Sequence, residues 1–110
     1  MVHHDTLGVS AEDAADYLRS AGFGAKSVGE TLKKDFGTWS ESGAKHLKNA
    51  GFGANDIAKT LKSNDVWDKG ASATGKALKR AGFGKSATRD ALDAAGFSWN
   101  TVVSVIADLF

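Results

Sequence analysis

The sequence contains no cysteine, no proline and no long apolar run. Without cysteine the chain has neither a disulfide bond nor a thiolate nucleophile, and this absence leaves the cellular compartment undetermined. No apolar run approaches the roughly 20 residues that cross a bilayer. The first residues also lack the basic-then-apolar order of a signal peptide. The sequence therefore predicts no membrane span, and it leaves the localisation unknown.

The absence of proline leaves the 13 glycines to mark the turns. Apolar residues make up 42% of the chain and charged residues 25%, which is ordinary for a folded domain. A length of 110 residues suits a single domain. We predict an N-terminal tail over residues 1–8 and one helical-repeat domain over residues 9–110.

A short pattern recurs along the whole chain. It reads "LRSAGFG" from residue 18, "LKNAGFG" from 47, "LKRAGFG" from 78 and "LDAAGFS" from 92. Between these copies, apolar and small residues fall at helical spacing, as in Ala25, Val28, Gly29 and Leu32. The leucines of successive units are Leu18, Leu32, Leu47, Leu61, Leu78, Leu92 and Leu109. This pattern predicts an all-α fold of about seven short helices in tandem helix-turn-helix repeats, as a compact solenoid or a closed bundle.

The Ala-Gly-Phe triplets are typical of helix ends. If Gly51 takes the left-handed conformation after a helix, Leu47 and Phe52 occupy the two positions that a Schellman cap joins. The lysines that follow the unit leucines then lie in the last helical turn, where cations favour the helix dipole. Helix starts are predicted at four places, namely Ser10 with Asp13, Thr38 with Glu41, Asp65 with Asp68, and Ser98.

Units such as "LRSAGFGAKSVGETLKK" and "LKNAGFGANDIAKTLKS" cover nearly the whole chain. They resemble short helical repeats that occur in arrays in large bacterial proteins. The resemblance implies scaffold or interaction work without catalysis or a cofactor. It also implies a protein partner or self-association.

A second resemblance concerns the turns alone. "GFGAKSVGETL", "GFGANDIAKTL" and "GFGKSATRDAL" are similar to the helix-hairpin-helix family of DNA-binding motifs. In that family the turn amides hold a backbone phosphate, which helix N-termini can do generally. The resemblance implies the phosphate-binding positions Gly22, Gly24, Lys26, Gly51, Gly53, Gly82, Gly84 and Lys85. A helix cap followed by a helix start explains the same letters, so nucleic-acid binding is the alternative function.

Charge supports that alternative, whereas the motifs of enzymes do not. Residues 17–89 hold all 14 Lys and Arg and six of the 13 acids, a net charge of about +8. The stretch "GASATGKA" ends in Ala77 where a phosphate loop needs Ser or Thr, and no strand precedes it. His46 has no nucleophile near it in sequence, and His3 could serve only an N-terminal copper or nickel chelate. We predict a non-enzymatic protein without catalytic or metal-binding residues.

Aromatic and apolar residues near the helix starts and in the last unit are the candidate partner surface. Three tryptophans are spaced 28 and 32 residues apart, and they form either inter-repeat core or an exposed row. The last unit, "SWNTVVSVIADLF", is apolar over most of its surface. We expect it to be buried within the chain, with a sticky end for self-association as the alternative. The candidate residues are Trp39, Trp67, Trp99, Val105 and Phe110.

Overall fold

A computed structural model describes residues 9–110, so the predicted tail over residues 1–8 lies outside the described residues. Within that range the chain forms seven α-helices and no β-strand. The helices are α1 Ala11–Ser20, α2 Ala25–Phe36, α3 Ser40–Ala50, α4 Ala54–Lys62, α5 Ala71–Ala81, α6 Lys85–Ala94 and α7 Trp99–Leu109. The prediction of an all-α fold with about seven short helices is confirmed.

The helices stack in two layers. Each helix packs against the next helix and against the one after it, so that α1, α3, α5 and α7 form one layer and α2, α4 and α6 form the other. The stack is elongated, with extents of 45 × 23 × 20 Å. Isolated short helices are only marginally stable. Here each helix packs against neighbours in its own layer and in the other layer. This arrangement corresponds to a short solenoid.

The repeated leucines form the centre of the stack. Five of the seven are completely buried, whereas Leu18 and Leu109 near the two ends are half-buried. The five buried ones are Leu32, Leu47, Leu61, Leu78 and Leu92. The last helix also buries its inner face, through Val102, Val105 and Ile106. The expectation that α7 is buried within the chain is thus confirmed for that face.

The predicted helix ends are present in all four copies. Gly51 has a φ of 110°, and the N–H of Phe52 donates to the carbonyl of Leu47 at 3.1 Å. This is the 6→1 hydrogen bond of a Schellman cap. The other three glycines of the motif, with φ between 97° and 109°, are Gly22, Gly82 and Gly96. The interpretation of Ala-Gly-Phe as a helix stop is confirmed.

Two of the four predicted helix starts are confirmed. The hydroxyl of Ser10 accepts the N–H of Asp13 at 3.1 Å, and Ser98 caps α7 in the same way. The start at Thr38 is wrong, because the N–H of Thr38 donates to Leu32 and so completes the end of α2.

The predicted start at Asp65 is also wrong. The carbonyl of Ser63 accepts the N–H groups of both Val66 and Asp68, which closes a compact turn over this segment. The helix α5 begins only at Ala71, after Gly70. The Asp65 carboxylate instead accepts a hydrogen bond from the Lys26 ammonium at 3.0 Å.

Candidate functional site

The three tryptophans occupy different environments. Trp39 is 80% exposed at the start of α3, and Trp99 is 54% exposed at the start of α7. Trp67 is only 8% exposed and lies in the turn between α4 and α5, not at a helix start. Its assignment to a partner surface is therefore corrected. The same correction applies to Val105, which is 6% exposed because its side chain packs against Gly75.

Trp67 is buried because α3 offers a glycine where a side chain would collide with it. A Cβ at Gly43 would overlap the indole ring, so the ring fills space that only glycine leaves open. The indole N–H donates to the carbonyl of Thr38 at 3.0 Å. Because Thr38 immediately precedes Trp39, the buried tryptophan fixes the backbone that presents the exposed one.

Trp39 stands between two adjoining depressions of the surface. The larger, which we call the Trp39 groove, has a volume of about 570 Å³ and lies between the starts of α3 and α5. Its lining residues are Trp39, Ser40, Glu41, Lys69, Ser72, Ala73 and Lys76. The smaller, of about 350 Å³, also borders Trp39 and includes Lys33 and Lys69. An exposed aromatic side chain that borders open space can serve as a contact for a bound chain.

The Trp39 groove is basic. Its one acid, Glu41, accepts a hydrogen bond from Arg80 at 2.7 Å, so that charge is already compensated. Within residues 9–110, Lys69 and Lys76 form no ion pair. The Lys33 ammonium donates to the carbonyl of Val66 and keeps its charge nearby. The groove therefore combines an exposed indole with uncompensated positive charge.

The six glycines predicted to bind phosphate occupy equivalent turns of neighbouring units. Gly24, Gly53 and Gly84 directly precede α2, α4 and α6, and none of these helices has a side-chain cap. One depression of about 390 Å³ includes Gly22, Gly51 and Gly53 together with Asp56. These glycines thus lie along one edge of the stack, with N–H groups of the helix starts left without side-chain partners. The six are Gly22, Gly24, Gly51, Gly53, Gly82 and Gly84.

The two predicted phosphate-binding lysines differ in their contacts. Lys26 is paired with Asp65, whose hydrogen bond raises the pKa of the lysine, while the ammonium lowers the pKa of the carboxyl. Lys85 is exposed at the start of α6. Among the described residues, only Lys85 of the two is without an ion pair.

Sequence reasoning missed a set of contacts between units. The cation after the unit leucine lies over the Phe ring that follows the helix two positions later. The distances from cation to ring centre are 5.3, 5.5, 5.1 and 5.2 Å for Arg19–Phe52, Lys48–Phe83, Lys62–Phe97 and Lys79–Phe110. We call these the inter-repeat cation–π contacts. Their signal in the sequence is a separation of 31 to 35 residues between cation and Phe, about two units, which the helix-dipole interpretation did not use.

His46 has the only shifted histidine pKa among the described residues. Burial lowers the pKa of the imidazole, and this effect exceeds the opposing attraction of Glu12, whose carboxylate lies 3.8 Å from Nδ1. Nδ1 is buried without a hydrogen-bond partner in the described part of the chain. No nucleophile is hydrogen-bonded to it there, and the imidazole extends from α3 toward Glu12 of α1.

Within residues 9–110 no group of three or more His, Asp or Glu side chains is placed to hold a metal ion. No helix in that range is long and apolar enough to cross a membrane. No family model, no curated protein and no solved structure matches the chain. Function is therefore inferred from the chemistry of the surface.

Proposed function

We propose that the chain is a non-catalytic helical-repeat interaction module that binds a polypeptide segment in the Trp39 groove. The observation that carries the proposal is the 80% exposure of Trp39 on a backbone held by the buried Trp67. Tryptophan is enriched among the residues that dominate the energy of protein interfaces. A rigidly presented indole loses little conformational entropy when a partner covers it.

The chemistry of the groove specifies the partner. Lys69 and Lys76 flank the indole without acids of their own, so an incoming segment with Asp or Glu gains attraction there. The space beside the ring suits one apolar side chain. We therefore expect an acidic segment with a single aromatic or aliphatic anchor.

Two further features support an interaction role. The repeat pattern resembles arrays in large bacterial proteins, and this resemblance implies scaffold or interaction work. Trp99 also begins a helix of the same layer, since α3, α5 and α7 are successive neighbours. Its exposed indole is a second aromatic contact in this layer, whereas the exposed Phe110 follows the opposite end of α7.

The test is a peptide-display selection against the full chain, followed by calorimetric titration of the selected peptide. The peptide is expected to carry Asp or Glu around one apolar anchor. Trp39→Ala should weaken binding by at least about tenfold, the loss expected for an interface hot spot. Tyr17→Ala is the matched control, because Tyr17 is 75% exposed on a different helix. Equal affinity in both variants would contradict the proposal.

Binding of a nucleic-acid backbone is the second candidate function. The three adjacent helix starts at Gly24, Gly53 and Gly84 favour it, because their N–H groups lack side-chain caps. Affinity for duplex DNA should then be independent of sequence and fall steeply with salt. The double variant Lys26→Glu with Lys85→Glu should abolish it. No binding at about 50 mM salt, where phosphate contacts are strong, excludes this function.

A further inference from the structure

The N-terminal end of the stack exposes positions that later units bury. Leu18 on α1 is half-buried, whereas the equivalent Leu47 and Leu78 are completely buried. Tyr17 is 75% exposed, but the equivalent residue of α5, Ala77, is completely buried. The difference arises because α3 and α5 each have an earlier helix of the same layer packed on this face.

The second layer shows the same difference. Thr31 on α2 is half-buried, while the equivalent Thr60 and Ala91 are 2% and 0% exposed. A groove of about 320 Å³ runs between the end of α1 and α2, and its lining includes Leu18, Phe23 and Thr31. The N-terminal end of the stack therefore exposes the residues that, between interior repeats, are covered by the preceding helices.

The contacts between interior repeats show which side chains cover such a surface. Phe52 and Phe83, which follow α3 and α5, are half-buried beneath Arg19 and Lys48 from the helix two positions earlier. Phe23 follows α1 in the same cap geometry, yet it is 51% exposed. Among residues 9–110 no cation lies over its ring. Residues 1–8 contain no Lys or Arg.

Charge determines which occupants fit. The groove is lined by two acids, Glu30 and Asp35, and one base, Lys34, so two such ends placed face to face would each meet a net negative charge. A second copy stacked by its other end would offer no cation, since neither α6 nor α7 has a basic residue in its last turn. An acidic end with an uncovered aromatic ring suits a helix whose last turn is basic.

We propose that the N-terminal end of the stack docks a helix from another polypeptide, one that carries Leu followed by Lys or Arg in its last turn. The leucine covers Leu18 and Thr31, and the cation lies over Phe23. The docked helix thereby takes the place that α1 takes on α3. This surface is separate from the Trp39 groove, and neither depends on the other.

A synthetic peptide with the sequence of residues 40–62 is a suitable probe, because it contains Leu47 followed by Lys48. It is titrated into the full chain labelled at Tyr17, the only tyrosine, and followed by NMR. The Tyr17 ring signals are expected to shift with saturation. Phe23→Ala should weaken binding by about tenfold, from the lost ring burial and cation contact.

Two protein controls locate the effect. Val103→Ala removes a side chain that is 49% exposed at the opposite end of the stack, and it should leave the affinity unchanged. Trp39→Ala should also leave it unchanged, which separates this result from the fate of the Trp39 groove. A peptide whose binding is lost in Trp39→Ala but retained in Phe23→Ala overturns the proposal.

Variants of the peptide test the cation itself. Lys48→Arg should preserve binding, since the interior junctions use both Arg19 and Lys48. Lys48→Met keeps the length and removes the charge, so binding should weaken several-fold, and Lys48→Glu should abolish it. Equal binding of the Lys and Glu peptides, or no Tyr17 shift at about 1 mM peptide, the weak limit of specific association, overturns the proposal.

Discussion

The two ends of the stack differ in how they finish the repeat. At the N-terminal end Tyr17 and Phe23 are exposed, and no cation of the described residues covers Phe23. At the C-terminal end α7 buries Val102 and Ile106, and Lys79 lies over Phe110 at 5.2 Å. The last helix thus receives a contact from the unit before it, whereas among residues 9–110 no cation supplies one to the Phe that follows the first helix.

The difference shows that the inter-repeat contacts have a direction. Each cation comes from an earlier helix and each Phe from a later one. The last two helices lack the cation of this contact. Asp93 takes the position in α6 that Lys62 has in α4, and Phe110 follows the leucine of α7 where α1 to α5 have Lys or Arg. Within residues 9–110, one end of the stack therefore offers no cation in the last turn of its helices, and the other has a Phe ring that no cation covers.

Removal of the closing helix is expected to have the largest effect. Deletion of residues 98–110 removes three buried side chains, Val102, Val105 and Ile106, and uncovers Leu92 on α6. At roughly 1.5 to 3 kcal/mol for each buried side chain, the loss approaches the whole stability of a typical domain. The truncated chain should be unfolded by circular dichroism. A truncated chain that melts cooperatively and has lost self-association would instead identify α7 as an interface.

A pair of leucine substitutions sharpens the comparison of interior and end. Leu47→Ala should lower the free energy of unfolding by about 2 to 5 kcal/mol, because Leu47 is completely buried. Leu18→Ala at the equivalent position should cost about half as much, since the side chain is only half-buried. Urea denaturation of both variants measures the difference. Equal losses would mean that the N-terminal end is covered in solution.

The helix caps should give the smallest effect. Gly51→Ala forces alanine to a φ of 110° and should cost about 1 kcal/mol. Gly22→Ala should cost slightly less, because a Cβ there meets no atom within 4 Å, whereas one at Gly51 meets Arg19 at 3.1 Å. The control is Gly53→Ala, with a φ of −81° and open space around it. Thermal denaturation that ranks Gly53→Ala as the most damaging change would contradict the cap assignment.

The candidate site was predictable only in part. Trp39 and Trp67 were both proposed for a partner surface because they recur at similar spacing. Their environments separate because Gly43 leaves room for the ring of Trp67 from a distant turn, which spacing along the chain does not reveal. The start at Thr38 failed for a local reason, since its N–H completes the end of α2, whereas Asp65 accepts a hydrogen bond from the distant Lys26.

Local rules, by contrast, determined the helices from the sequence alone. Three local signals define the helices: the helical spacing of small and apolar residues, the left-handed glycines after Leu-x-x-Ala, and the serines before α1 and α7. Each signal acts within a few residues, so the amino-acid sequence is enough to predict the helices. The tertiary structure decided which equivalent residues are core and which are surface. Burial of a unit depends on the helix that packs against it. Leu18 and Leu47 belong to the same sequence motif, but only Leu47 has an earlier helix of the same layer packed against it. It likewise turned the lysine after each leucine from a dipole partner into a contact between units.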